Sequence, residues 1–121
     1  MKMEPEILRE ILLQVEAYPA GKSIYRFKYE GATNVEIMEH VQLLIDADMV
    51  EGKVVRAGMS EPVKATVHRL TFGGHQFLAK ARNDTIWKKV VAQAKEKGMS
   101  TSMVVINGLL ESAAKKYAGL D

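Results

Sequence analysis

The side chains most able to do chemistry in this sequence are a set of cations and three histidines. Lys53, Arg56, Lys64 and Arg69 fall in two β-forming runs, with His68 beside them and Arg26 and Lys28 in an earlier run. Cations on a hairpin can track phosphates or enter a minor groove. Exposed strands also carry them simply to prevent edge pairing. A second group, Lys80, Arg82, Lys88, Lys89, Lys95 and Lys97, faces only Asp84 and Glu96 and makes residues 73–97 the most basic stretch, net +4. It suits non-specific nucleic-acid binding, a solvated helix face, or pairing with an acidic surface of a neighbouring molecule. Residues 33–48 are the reverse, holding Glu36, Glu39, Asp46 and Asp48 and no cation.

Metal and catalytic chemistry have little to build on. His40 lies four residues after Glu36, a spacing that can put two ligands on one helix face. No second pair completes such a site, because His68 and His75 fall in other elements. There is no cysteine, which removes thiolate metal sites, disulfides and a Cys nucleophile. No nucleophile elbow, phosphate-cradling Gly-rich loop or dinucleotide fingerprint occurs, and Gly73-Gly74 alone is too weak a signal. No catalytic residue, cofactor or metal ligand is therefore expected, and the chain reads as a non-enzyme.

The elements that must position the charges follow from periodicity. With 121 residues, 47% hydrophobic and 26% charged, the chain suits one globular domain with its own core. Charged residues interrupt the N-terminal apolar positions, and no apolar run reaches the roughly 20 residues of a membrane span. A soluble, cytoplasmic protein without a membrane partner is expected. Ile7, Leu8, Ile11, Leu12 and Val15 recur at helical spacing after Pro5, and Pro19 and Gly21 end that helix. Residues 23–29 alternate Tyr25, Phe27 and Tyr29 with Ile24, Arg26 and Lys28, a strand pattern. Thr33 or Asn34 caps a second helix whose Ile37, Val41, Leu44 and Ile45 point inward. Glu36, Glu39, Gln42, Leu43 and Asp46 then point outward.

Residues 49–56 and 63–72 read as two strands of a hairpin joined by a Gly- and Pro-containing loop. Thr71 caps a third helix over 72–81, in which Gly73 and Gly74 let the helix start lie close to a neighbouring backbone. Asp84 caps a fourth helix ending at Gly98, with Ile86, Trp87, Val90, Val91 and Ala94 inward and Trp87 as a core anchor. Ser100 or Thr101 caps a fifth, running to Tyr117 before Gly119. Its apolar residues cover more than one face, so Met103, Ile106, Leu110 and Tyr117 are candidates for a homodimer contact.

The order helix, strand, helix, hairpin, helices is the plan of a winged helix. The expected fold is α+β, a winged helix-turn-helix-like domain with a three-stranded antiparallel sheet, the hairpin as wing, and two extra C-terminal helices. A single domain over 1–121 is expected, with the winged-helix core over 1–83 and the helical extension over 84–121. One helix stands between the first strand and the wing, where the usual plan has two.

Two stretches carry a resemblance. Residues 33–52, from Thr33-Asn34-Val35-Glu36 to Met49-Val50-Glu51-Gly52, look like the second helix and strand start of domain of unknown function 2513. Leu70-Thr71, Gly74-His75, Phe77-Leu78, Arg82, Asp84 and Ile86-Trp87 resemble that family's more specific second motif. Asp48 stands where the family, like many winged helices, usually has glycine before the wing. The resemblance implies a bacterial, often prophage-borne, winged-helix-like protein without an established activity, and it carries over no functional residue.

Two functional expectations follow. The first is a small regulator-like protein on double-stranded DNA, binding as a homodimer with Lys53, Arg56, Lys64, Arg69, Lys88 and Lys89 on phosphates. Its second helix is ill suited to a major groove. Gln42 could read adenine and Glu39 cytosine, but no cation on that face would offset the repulsion of phosphates. The second is a protein-interaction module whose contact surface is the acidic face, Glu36, Glu39, Gln42, Leu43 and Asp46.

Overall fold

Pro5, with its φ already helical, opens the first element of the computed structural model, which describes residues 1–97 and 103–119. Helix α1 (Pro5–Ala17) buries Ile7, Leu8, Ile11, Leu12 and Val15. It stops at Tyr18 because a residue before proline is pushed out of the helical region, here to φ −75° and ψ 145°. Helix α2 (Asn34–Asp46) starts in a reciprocal capping box. The Glu36 N–H donates to Thr33 Oγ1 at 3.1 Å, and the Thr33 N–H donates to Glu36 Oε1 at 3.0 Å. Asp48, at φ 56°, then takes the left-handed conformation that glycine usually supplies after a helix.

Strands β1 (Val50–Arg56) and β2 (Pro62–Leu70) pair antiparallel, Val50 opposite Leu70 and Val54 opposite Ala65. The register shifts between Glu51 and Gly52, where Arg69 opposes Glu51 and Val67 opposes Gly52, leaving His68 as the extra residue. Strict alternation along β2 is broken there. Ala65, Val67 and Leu70 are buried, while Arg69, expected in phase with Val67, is exposed. Gly52 is required at this bulge: a Cβ would stand 2.3 Å from the Thr66 carbonyl oxygen.

The sheet is two-stranded, which corrects the expected three. Residues 23–29 touch β2 through one bridge, the Ile24 N–H donating to Val67 O at 2.8 Å and the Val67 N–H to Ile24 O at 3.0 Å. Beyond it the backbone turns to another partner. The Gln14 side chain donates to Lys28 O at 2.7 Å and accepts from the Lys28 N–H at 3.1 Å. An amide side chain on α1 thus satisfies both backbone groups of Lys28, which β2 does not.

Three helices follow. In α3 (Phe72–Ala81), Thr71 Oγ1 accepts from the Gly74 N–H and donates to Asp48 O at 2.6 Å, tying the helix start to the turn before the hairpin. Helix α4 (Asp84–Glu96) is capped by Asn83, one residue before the expected Asp84. Helix α5 covers Met103–Tyr117, and the expected cap at Ser100 or Thr101 lies outside the described residues. The core joins α1, α2 and the inner face of the hairpin to α3, then runs on through Phe77 and Trp87 to α4 and α5. Those two rings meet edge-on at 6.3 Å between centroids. Each fully buried leucine, such as Leu12 or Leu78, contributes roughly 1.5–3 kcal/mol through removal from water.

Candidate nucleic-acid interface

The hairpin separates its four cations into two kinds. Arg69 donates to both carboxylate oxygens of Glu51, at 3.0 and 2.7 Å, because the register sets the two side by side on the outer face. Arg56 makes a similar two-pronged contact with Glu39 on α2. That contact holds the Glu39 carboxyl below the ordinary carboxylate range and raises the Arg56 guanidinium. A residue expected on phosphate and one expected on a protein partner are thus each other's partner. Lys53 and Lys64 are both exposed, and the Lys64 ammonium lies 5.8 Å from the centre of the Tyr25 ring.

The acidic helix is similarly engaged. Glu36 closes the capping box, and its bonds to Thr33 lower its carboxyl pKa. Gln42 donates to Asp46 at 2.9 Å, and Leu43 is half-buried against the core. His40 does not stand beside the Glu36 carboxylate as a ligand. It is fully buried, its Nε2 accepting from the Glu4 N–H at 2.9 Å and its Nδ1 donating to the Glu36 carbonyl at 2.7 Å. The two partners assign the proton to Nδ1. Among the described residues, no three of His, Asp and Glu converge as a metal site.

The basic stretch on α3 and α4 is divided between faces. Lys80 donates to Asn107 at 2.7 Å, and Arg82 grips both oxygens of Glu16 at 2.7 and 2.6 Å, lowering the Glu16 pKa. Lys88 and Lys95 flank a cleft against α1, where Lys95 stands 4.0 Å from Glu6. Lys89 looks the other way, over a groove between α4 and α5 that Lys116 and Tyr117 also line. Lys88 and Lys89 therefore do not form one patch. On α5, Ile106 and Leu110 are consumed in the chain's own core, Met103 is half-buried, and Tyr117 is exposed. Any second copy meeting this helix would meet Tyr117 and the exposed Val104 rather than the buried pair.

One concavity gathers unpartnered positive charge. Where residues 25–28 leave β2, a groove of about 700 Å³ opens between them, the first turn of α2 and the start of β2. Arg26, Lys28 and Lys64 line it with Tyr25, Phe27, Asn34 and Met38, and no carboxylate among the described residues does. Among the described residues, Arg9, Arg56, Arg69 and Arg82 each bind a carboxylate, and Arg26 is the arginine that does not. The cations at 26 and 28 are legible as strand charges. The groove is not, since it lies where the Lys28 backbone bonds to Gln14 rather than to β2, a long-range partner that no local pattern announces.

No helix among the described residues is long and apolar enough to cross a membrane. The family described as hypothetical protein DUF2513 matches residues 2–100, which takes in every element through α4. An uncharacterised protein of Haemophilus influenzae (strain ATCC 51907 / DSM 11121 / KW20 / Rd) is 26% identical over 113 residues, spanning 93% of this chain and 94% of its own length. No solved structure matches.

Proposed function

We propose, from the premise that this chain belongs to the DUF2513 family of hypothetical proteins, that it is a winged-helix-type binding protein associating with nucleic acid through phosphate contacts, and that it is not an enzyme. The order α1, α2, hairpin, with Ile24 bridged to Val67 where a first strand would pair, supports the winged-helix plan. The observation that carries the binding reading is the groove of Arg26, Lys28 and Lys64, which no carboxylate among the described residues lines. Arg56 and Arg69 are held by Glu39 and Glu51, so they contribute less than the lysines. The engagement of Glu36, Glu39 and Asp46 within the chain removes support from the alternative in which the acidic helix recruits a protein.

The test is fluorescence anisotropy of labelled nucleic acid titrated across a salt series. Binding weakens with salt, and each phosphate contact removed lowers the slope of log K on log salt by about 0.7–0.9. Arg26→Glu with Lys64→Glu abolishes binding at physiological salt, whereas Lys116→Glu, on the α4–α5 groove, leaves it unchanged. Absence of binding to any nucleic acid at low salt overturns the reading.

A further inference from the structure

We propose that the groove beside β2 takes an unpaired base of single-stranded nucleic acid, with Tyr25 as the stacking ring and Arg26, Lys28 and Lys64 on the flanking phosphates. This rests on the nucleic-acid reading above and names the form of the ligand.

Three observations lead there. Tyr25 is 58% exposed, directly after the buried bridge residue Ile24, so packing does not account for its ring. The Lys64 ammonium, 5.8 Å from the ring centre, couples that ring to the cation set. The groove's volume of about 700 Å³ lies inside the roughly 300–1,000 Å³ of clefts that hold small molecules. Its walls combine apolar surface from Phe27 and Met38 with three cations and no acid. A positive channel with an aromatic platform is the combination that holds single strands without reading a duplex.

The shape of the duplex argues in the same direction. A winged helix engages duplex DNA by placing its second helix in the major groove. Here α2 supplies no cation of its own: Arg56 from the hairpin is held by Glu39, and Glu36 and Asp46 on its outer face meet a phosphate wall without a basic partner, so docking that helix in a groove is unfavourable. A single strand lies along the groove without passing over that face. Asn34, at the first turn of α2, is then within the same groove to meet a base edge.

The experiment compares a short labelled oligothymidylate with a random duplex of equal length, using the full chain and anisotropy at several salt concentrations. The single strand binds at least ~10-fold tighter than the duplex, and Tyr25→Ala loses about 10-fold of that affinity, in the range of one base–aromatic stack. Tyr25→Phe retains it, and Tyr18→Ala, an exposed tyrosine outside the groove, changes nothing. Arg26→Ala lowers the single-strand salt slope by about 0.7, while Tyr25→Ala leaves the slope intact. Duplex bound as tightly as the single strand overturns this inference and leaves phosphate association standing. Single-strand binding indifferent to Tyr25→Ala overturns it too, as does a polyglutamate peptide that competes as well as the oligonucleotide, which would mark a general polyanion surface. Failure of both nucleic acids to bind at low salt removes the inference together with the reading on which it rests.

Discussion

His40 and Arg9 show how single side chains lock this fold in ways that their types alone do not announce. Both are polar groups on helices, and both reach backbone across the core. Arg9 donates to the carbonyls of Ala81 and Arg82, at 2.7 and 2.8 Å, and to Asp84 at 2.6 Å, with its guanidinium 5.4 Å from the centre of Trp87. It thereby ties α1 to the α3–α4 junction. His40 satisfies the Glu4 N–H at the start of α1, where the N-cap side chain makes no bond of its own. His40→Ala leaves that donor unpaired and opens a void beside α1, a cost of about 2–4 kcal/mol. A urea titration that shows an unchanged midpoint for His40→Ala would contradict the role. The histidine spacing from Glu36 was readable. The burial that makes it structural was not, because it depends on α1 lying across α2.

At the scale of elements, the α3 start is tied to the turn before the hairpin, Thr71 Oγ1 donating to Asp48 O and the Thr71 N–H to Met49 O. Gly73 and Gly74 both read as permitting a close approach, and the structure assigns that approach to Gly74. A Cβ at Gly74 would stand 2.1 Å from the Met49 carbonyl oxygen, whereas one at Gly73 would meet Asp48 O at an ordinary 3.5 Å. Gly74→Ala therefore costs about 2–3 kcal/mol, since backbone rather than a flexible side chain must move. Gly73→Ala is neutral to stabilising, by up to ~1 kcal/mol, through the lower entropy of its unfolded chain. Thermal unfolding of the two variants separates these outcomes, and equal effects would refute the assignment. The helices themselves were legible to within a residue or two, because their apolar positions keep the 3.6 period and Thr33 and Thr71 announce their starts. The third strand was misread for a physical reason. Alternation in residues 23–29 satisfies the side-chain pattern of a strand, but the backbone bonds go to Gln14, and side-chain periodicity is blind to that choice.

Across the whole molecule, opposite charges that look segregated along the chain are largely brought together. Glu16 meets Arg82, Glu39 meets Arg56, and Glu51 meets Arg69. The carboxyls of Glu16, Glu36 and Glu39 are all held below their ordinary value of 4.5, by Arg82, Thr33 and Arg56 respectively. Carboxyls depressed in the folded state bind fewer protons there than in the unfolded chain. Their stabilisation is therefore complete above about pH 5 and is lost as pH falls through the depressed values. Urea midpoints measured from pH 7 down to pH 3 decline on the acid side, and Arg82→Gln flattens part of that decline. A profile level to pH 3 would show that the pairs are formed without energetic effect, as exposed pairs can be.

The sequence by itself determined the α+β class, five helices, the hairpin and most of the inward-facing residues, since local periodicity and capping depend on neighbours a few positions away. It also held the family resemblance in the run from Arg69 to Trp87, within the stretch that the family matches. Only the tertiary structure decided which cations remain available. Pairing of Arg56 with Glu39 spans 17 positions and that of Arg82 with Glu16 spans 66, so no local pattern encodes them. The bonding of the Lys28 backbone to Gln14 is long-range in the same way, and Tyr25, Arg26 and Lys28 line the groove there. Helices form from contacts close in sequence. The surface that could bind is what remains after distant charges have found one another.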